Sequence, residues 1–107
     1  MSIKLITLCW SLEYQKEMMN VVEKLALKGN CVLTPIYPLS NNERTENQLK
    51  LLKEEHFKKI ELSDEIMVVN VNNYIGNSVK LETDYANKIN KKIAFYTDYM
   101  NGEIKWF

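Results

Sequence analysis

Glu82 is the residue whose type and position point most directly to chemistry. Val79, Glu82, Ala86 and Ile89 recur at helical spacing, so one carboxylate shares the inward stripe of a helix with three apolar side chains. The opening turns of a helix favour negative charge. A half-buried carboxylate there is expected to stay ionised, which suits a nucleophile. The competing reading is an acid that balances the helix dipole or pairs with Lys80. Just upstream, Gly76 lets the backbone approach a ligand closely. Asn77 and Ser78 either cap the helix or, with Val79, offer free N–H groups to a phosphate or a sugar hydroxyl. His56 is the single histidine. It falls on the apolar face of another helix, where the ring serves as proton donor, acceptor or packing group.

Other candidates flank these. Cys9, Trp10, Ser11 and Tyr14 follow or end the first apolar run; Trp10 either stacks on a base or belongs to the core. Asn70 and Tyr74 lie in and after the run Glu65 to Val71. Asp64 precedes that run and reads first as a turn residue bonding nearby backbone. Cys9 and Cys31 sit in apolar segments and read as reduced, buried small hydrophobes. Their strands could be neighbours, so a disulfide could form on oxidation. Two cysteines and one histidine fall short of a structural zinc site. There is no Walker loop, no GxGxxG, no Cys-His nucleophile pair and no run of metal-ligand spacing. The expectation is therefore no metal and no organic cofactor.

The elements that must hold these residues alternate. Ile3 to Cys9 reads as a strand, Ser11 to Lys28 as a helix stopped by Gly29-Asn30, and Cys31 to Ile36 as a second strand closed by Pro35 and Pro38. Thr45 to Leu62 is periodic, with Leu49, Leu52, His56 and Ile60 along one side. Glu65 to Val71, a helix from about Val79 to Asn90, and a strand from Lys92 to Thr97 follow. Glu103 to Phe107 reads as a short last strand or a docked tail, and Tyr37 to Asn47 as a flap. This β-α-β-α-β-α-β order implies one α/β domain over residues 1–107. Its form is a flavodoxin-like three-layer α/β/α sandwich with a four- or five-stranded parallel sheet in the order 2-1-3-4(-5). Ligands in such sheets sit beyond the carboxyl ends of the strands, at the switch point between strands 1 and 3.

Composition narrows the partners. The chain has 107 residues, 46% hydrophobic, with zero formal net charge. That balance argues against nucleic acid as a partner, which asks for a basic face. No segment has the ~18 apolar residues of a membrane helix, and the first residues lack the pattern of a signal peptide. A cytoplasmic location is expected.

With these residues in view, the chain resembles the nucleoside 2-deoxyribosyltransferase-like superfamily, in particular its short bacterial and phage members. The resemblance runs from about Ile3 to Thr97. It is carried by His56-Phe57-Lys58-Lys59-Ile60, Asp64-Glu65-Ile66, Asn70, Tyr74-Ile75-Gly76-Asn77-Ser78, and Glu82 with Tyr85-Ala86. It implies that Glu82 attacks C1′ of a deoxyribosyl group and expels the base, in the double displacement of a retaining glycosyl transfer. His56 stands where the transferases carry an aspartate that contacts the base. It also implies a nucleoside or nucleotide ligand and a homodimer or larger assembly, with Trp106-Phe107 available to it. The chain departs from the family at Cys9-Trp10-Ser11, where relatives have a glycine-containing turn. It departs again at Val79-Lys80 and at Gly76, where they carry a hydroxyl and an acid. Those departures leave an alternative, a non-catalytic nucleotide or nucleotide-signal binder using the same crevice.

Overall fold

The computed structural model describes residues 3–10, 15–36, 44–70 and 76–97. Ser11, Tyr14 and Tyr74, most of the Tyr37–Asn47 flap and the Glu103–Phe107 strand or tail lie outside those residues. The described chain runs β1 (Leu5–Trp10), α1 (Gln15–Leu27), β2 (Cys31–Leu33), α2 (Glu46–Leu62), β3 (Glu65–Val69), α3 (Asn77–Lys88) and β4 (Lys92–Phe95). The four strands form one all-parallel sheet in the order β2-β1-β3-β4. This is the α/β, flavodoxin-like arrangement that the alternating pattern predicts.

Strand alternation divides the core in two. Ile6, Leu8, Trp10, Met67, Val69 and Ala94 pack with Met18, Val21 and Leu25 of α1. Cys9, Ile66 and Val68 face the other way and pack with Ile60 of α2 and with Val79 and Ala86 of α3. Every residue of β3 is buried, as expected of a central strand covered on both faces. Register is set at the amino end of the sheet. There the Asp64 N–H donates to the Leu5 carbonyl at 2.8 Å, and the Leu5 N–H donates to Asp64 Oδ2 at 2.8 Å.

The helix ends obey local chemistry. Thr45 caps α2 in a reciprocal capping box with Gln48, which satisfies two otherwise orphaned N–H groups. α1 and α3 stop alike. Gly29 (φ 93°) and Asn90 (φ 63°) take left-handed conformations, and the next residue's N–H reaches back to Leu25 and Ala86 respectively. These are the two residue types that tolerate such a stop.

Several details differ from the sequence reading. β2 ends at Leu33 rather than Ile36. The Thr34 carbonyl is taken by Lys59 Nζ at 2.8 Å, and Pro35 has no N–H to extend the ladder. α3 begins at Asn77 rather than Val79, with Gly76 as its N-cap and no side chain capping it. Asn77 and Ser78 are thus the first residues inside the helix and not its caps. Cys31 is exposed rather than buried, since it opens an edge strand. It lies opposite Leu5, four residues from the level of Cys9, or about 13 Å along the strand. The neighbouring-strand disulfide is therefore out of reach.

Met67 is fully buried at the centre of β3, whereas Leu49, on the same apolar stripe as His56, is 54% exposed. Met67→Ala is expected to lower unfolding free energy by about 2–5 kcal/mol. Leu49→Ala should change it by no more than about 0.5 kcal/mol. Urea denaturation of the two variants checks this, and equal losses would contradict the assigned core.

Candidate functional site

Helix α2 makes the site possible because it is longer than the strand it covers. Seventeen residues span about 25 Å of helix, against about 17 Å for the five residues of β3. Its amino-terminal turns therefore project past the carboxyl end of the sheet. Leu49, Leu52, Lys53 and Phe57 form one wall of a cavity of about 300 Å³. Pro35 and Ile36 after β2, Trp10 at the end of β1, and Ser78 and Glu82 of α3 close it.

At its inner end three ionisable side chains meet. Cys9 projects from β1 toward the α2–α3 layer, His56 comes from α2 and Glu82 from α3. His56 Nε2 lies 3.2 Å from Glu82 Oε1 and 3.7 Å from Cys9 Sγ. Cys9 Sγ and a Glu82 carboxylate oxygen also lie within 4.8 Å of each other. The side chains of His56 and Glu82 are only 7% and 15% exposed, and Cys9 is fully buried. His56 Nδ1 and Glu82 Oε2 are buried with no hydrogen-bond partner among the described residues.

Burial governs the protonation of all three. Desolvation raises Glu82 to about 7, against a smaller downward pull from the Cys9 thiol and the Lys53 ammonium. Desolvation, helped by the charge of Lys59, lowers His56 to about 4. The Cys9 thiol is pushed well up by burial and by the Glu82 carboxylate beside it. Near pH 6 the His56–Glu82 pair is thus a neutral imidazole and a neutral acid sharing one proton, rather than an ion pair. This reverses the expectation of a carboxylate kept ionised by the helix dipole. Glu82 is the sixth residue of α3, and the dipole's effect fades beyond the first turn.

The residues singled out in the sequence divide accordingly. Trp10, His56, Ser78 and Glu82 line the cavity, and Cys9 lies behind it. Trp10 is also 5% exposed within the α1-side core, so its ring is mostly packing. Gly76 caps α3, and Asn77 is exposed beside it. Asn70 does not line the cavity: its side chain bonds the Thr97 hydroxyl at 3.1 Å and accepts from the Thr97 N–H at 3.2 Å, tying the ends of β3 and β4 together. Asp64 does not line the cavity either. It sits at the amino end of β3, held by Leu5, a sheet-length away from the cavity. Tyr85 is likewise structural, with its ring 4.9 Å from Phe57 and its hydroxyl donating to Glu61.

Sequence reasoning missed the α2 wall and the segment Pro35-Ile36. The available signal was length: a helix three times as long in residues as its strand must overhang. It also missed that Cys9, His56 and Glu82 converge with ligand-type atoms all within 4.8 Å of one another. Their separation in sequence hides this. No helix among the described residues is long and apolar enough to cross a membrane. Comparison with models of known protein families and with curated proteins finds no match.

The folded state holds the Glu82 proton more tightly than the unfolded chain does. That stabilisation is complete below about pH 4.5 and is lost as pH rises through about 7. His56 acts oppositely, losing its contribution as pH falls from 6.5 through about 4. Glu82→Gln is therefore expected to be more stable than wild type at pH 8, by up to about 3 kcal/mol. The gain should shrink steadily toward pH 5. Urea unfolding across that range checks the sign, and a variant less stable than wild type at pH 8 contradicts it.

Proposed function

We propose that the chain cleaves or transfers the N-glycosidic bond of a nucleoside or nucleoside 5′-monophosphate, with Glu82 attacking the anomeric carbon. The observation that carries this reading is a carboxylate at the inner end of a cavity of about 300 Å³, beyond the carboxyl ends of parallel strands, where ligands of such sheets collect. Apolar faces of Trp10 and Phe57 suit a base and a sugar ring. Ser78, in the uncapped first turn of α3, suits a hydroxyl or phosphate oxygen. Lys53, whose ammonium stands 5.8 Å from the centre of the Phe57 ring, suits a 5′-phosphate.

The chemistry follows from the short contact between acid and imidazole. The shared proton passes from Glu82 to His56 Nε2 across 3.2 Å, which frees the carboxylate. The carboxylate forms a bond to C1′ as the C–N bond breaks, through an oxocarbenium-like state. The imidazolium returns its proton to the departing base. Water or a second base then attacks C1′ of the glycosyl ester and releases Glu82.

A second reading, a non-catalytic nucleotide binder, is favoured by one observation. Glu82 Oε1 is already engaged by His56, and Oε2 is buried, so the carboxylate is guarded rather than offered.

Incubation with a panel of nucleosides and 5′-monophosphates, followed by chromatography of released base, tests the enzyme. Wild type is expected to release base, and Glu82→Ala to lose more than about 100-fold in rate. Lys53→Gln is expected to weaken monophosphates more than nucleosides. Wild type and Glu82→Ala equally inert, or equally active, would overturn the catalytic reading. A thermal shift with nucleotides but no released base would establish the binder, since ligand at 100 times its Kd adds about 2.7 kcal/mol.

A further inference from the structure

We propose that Cys9, His56 and Glu82 form a binding site for one thiophilic divalent cation of the Zn²⁺ class. The ligand atoms are a sulfur, an imidazole nitrogen and a carboxylate oxygen, brought from three different elements to within 4.8 Å of one another. Zinc bonds of about 2.3 Å to sulfur, 2.0–2.1 Å to nitrogen and 2.0–2.2 Å to oxygen place tetrahedral ligands about 3.3–3.6 Å apart. The Sγ–Nε2 separation is 3.7 Å and the Nε2–Oε1 separation 3.2 Å. Two edges of that tetrahedron are already built.

The surroundings point the same way. The site has unmet polar valence: Glu82 Oε2 is buried without a partner among the described residues. Three protein ligands leave a fourth position, and both His56 and Glu82 border the cavity, so water or a ligand atom can complete the shell from there. Charge also closes. A dication with one thiolate, one carboxylate and one neutral imidazole is electrically neutral, which burial favours over any single exposed charge. Sulfur and imidazole together select zinc or cobalt over magnesium or calcium. On binding, metal–sulfur, metal–nitrogen and metal–oxygen bonds form. The thiol proton, and the carboxyl proton where Glu82 holds one, leave to solvent.

The site itself does not depend on the glycosyl reading. Taken with that reading, it supplies a regulatory consequence, because the cation and the anomeric carbon compete for the same carboxylate. Zinc would then silence base release and a chelator would restore it.

Titration of the reduced, chelator-treated protein with Co²⁺ tests the site without reference to turnover. Wild type is expected to take up one equivalent, with a thiolate-to-cobalt charge-transfer band and intense tetrahedral d–d bands that excess Zn²⁺ abolishes. Cys9→Ser is expected to lose the charge-transfer band. It should also lose affinity by more than the ~10–100-fold that removal of a mere supporting residue costs. Cys31→Ser, which alters the exposed thiol, should leave both intact. If Cys9→Ser does not fold, as judged by circular dichroism, His56→Gln carries the same expectation for affinity. No charge-transfer band in wild type, a band that follows Cys31 instead of Cys9, or undiminished affinity in the folded variant would overturn the site. Normal metal binding with no base release would leave the site standing and remove only the glycosyl reading.

Discussion

The desolvation of Glu82 is the constraint on which the rest of the site depends. A carboxyl placed one residue layer above β1, between α2 and α3, cannot keep water around it. The apolar layers that make the fold stable raise its pKa to about 7, well above the usual carboxylate range. The same burial keeps the His56 ring neutral and the Cys9 thiol protonated. Three ionisable groups are thus stored against one another with their charged forms disfavoured. Such a cluster lowers the stability of the empty protein, because apolar side chains of the same volume would pack there without the penalty. Perturbed groups of this kind concentrate where a ligand or a reaction restores what burial removes.

The fold supplies this arrangement by simple means. Alternation along β1 sends Ile6, Leu8 and Trp10 to one face and Cys9 to the other. The stripe along α2 that buries Ile60 and His56 continues outward through Leu52 to Leu49, past the end of the sheet. There it stops being core and becomes the wall of a cavity. The opposite, amino end of the sheet is tied by Asp64 to Leu5 and by the bonds that Thr7 and Ser63 make to each other and to the Lys59 carbonyl. One end is closed by backbone and hydroxyl hydrogen bonds; at the other, the described residues form a cavity over ionisable side chains. That polarity sets the cavity and the ionisable side chains at the same end of the sheet.

Much of the architecture was legible because short apolar runs alternate with amphipathic ones, and because Gly29-Asn30 marks a helix end plainly. The strand order is the flavodoxin-like one expected of that alternation. Glu82 and His56 stood out because they interrupt otherwise apolar stripes, and Ser78 because it follows Gly76 at the start of a helix; all three line the cavity. Asp64 misled, since a residue at the head of a strand reads alike whether it serves the sheet or a ligand; only the bond to Leu5 decides. The raised pKa of Glu82 was not legible, because periodicity reports which side a residue faces, not how deep it lies. The meeting of Cys9 with His56 and Glu82 had no signature at all in the chain. It arises from three elements whose spacing in sequence is set by loops and helix lengths rather than by the site.

The most direct measurement of the central claim is the mass of the intact protein after incubation with a 2′-fluoro nucleoside, whose fluorine slows release of the sugar by destabilising the oxocarbenium-like state. A nucleophilic Glu82 predicts a mass increase of one fluoro-pentosyl group, located by digestion on the peptide that carries Glu82 and missing from Glu82→Gln. An unmodified protein, or an adduct on any other residue, would contradict it.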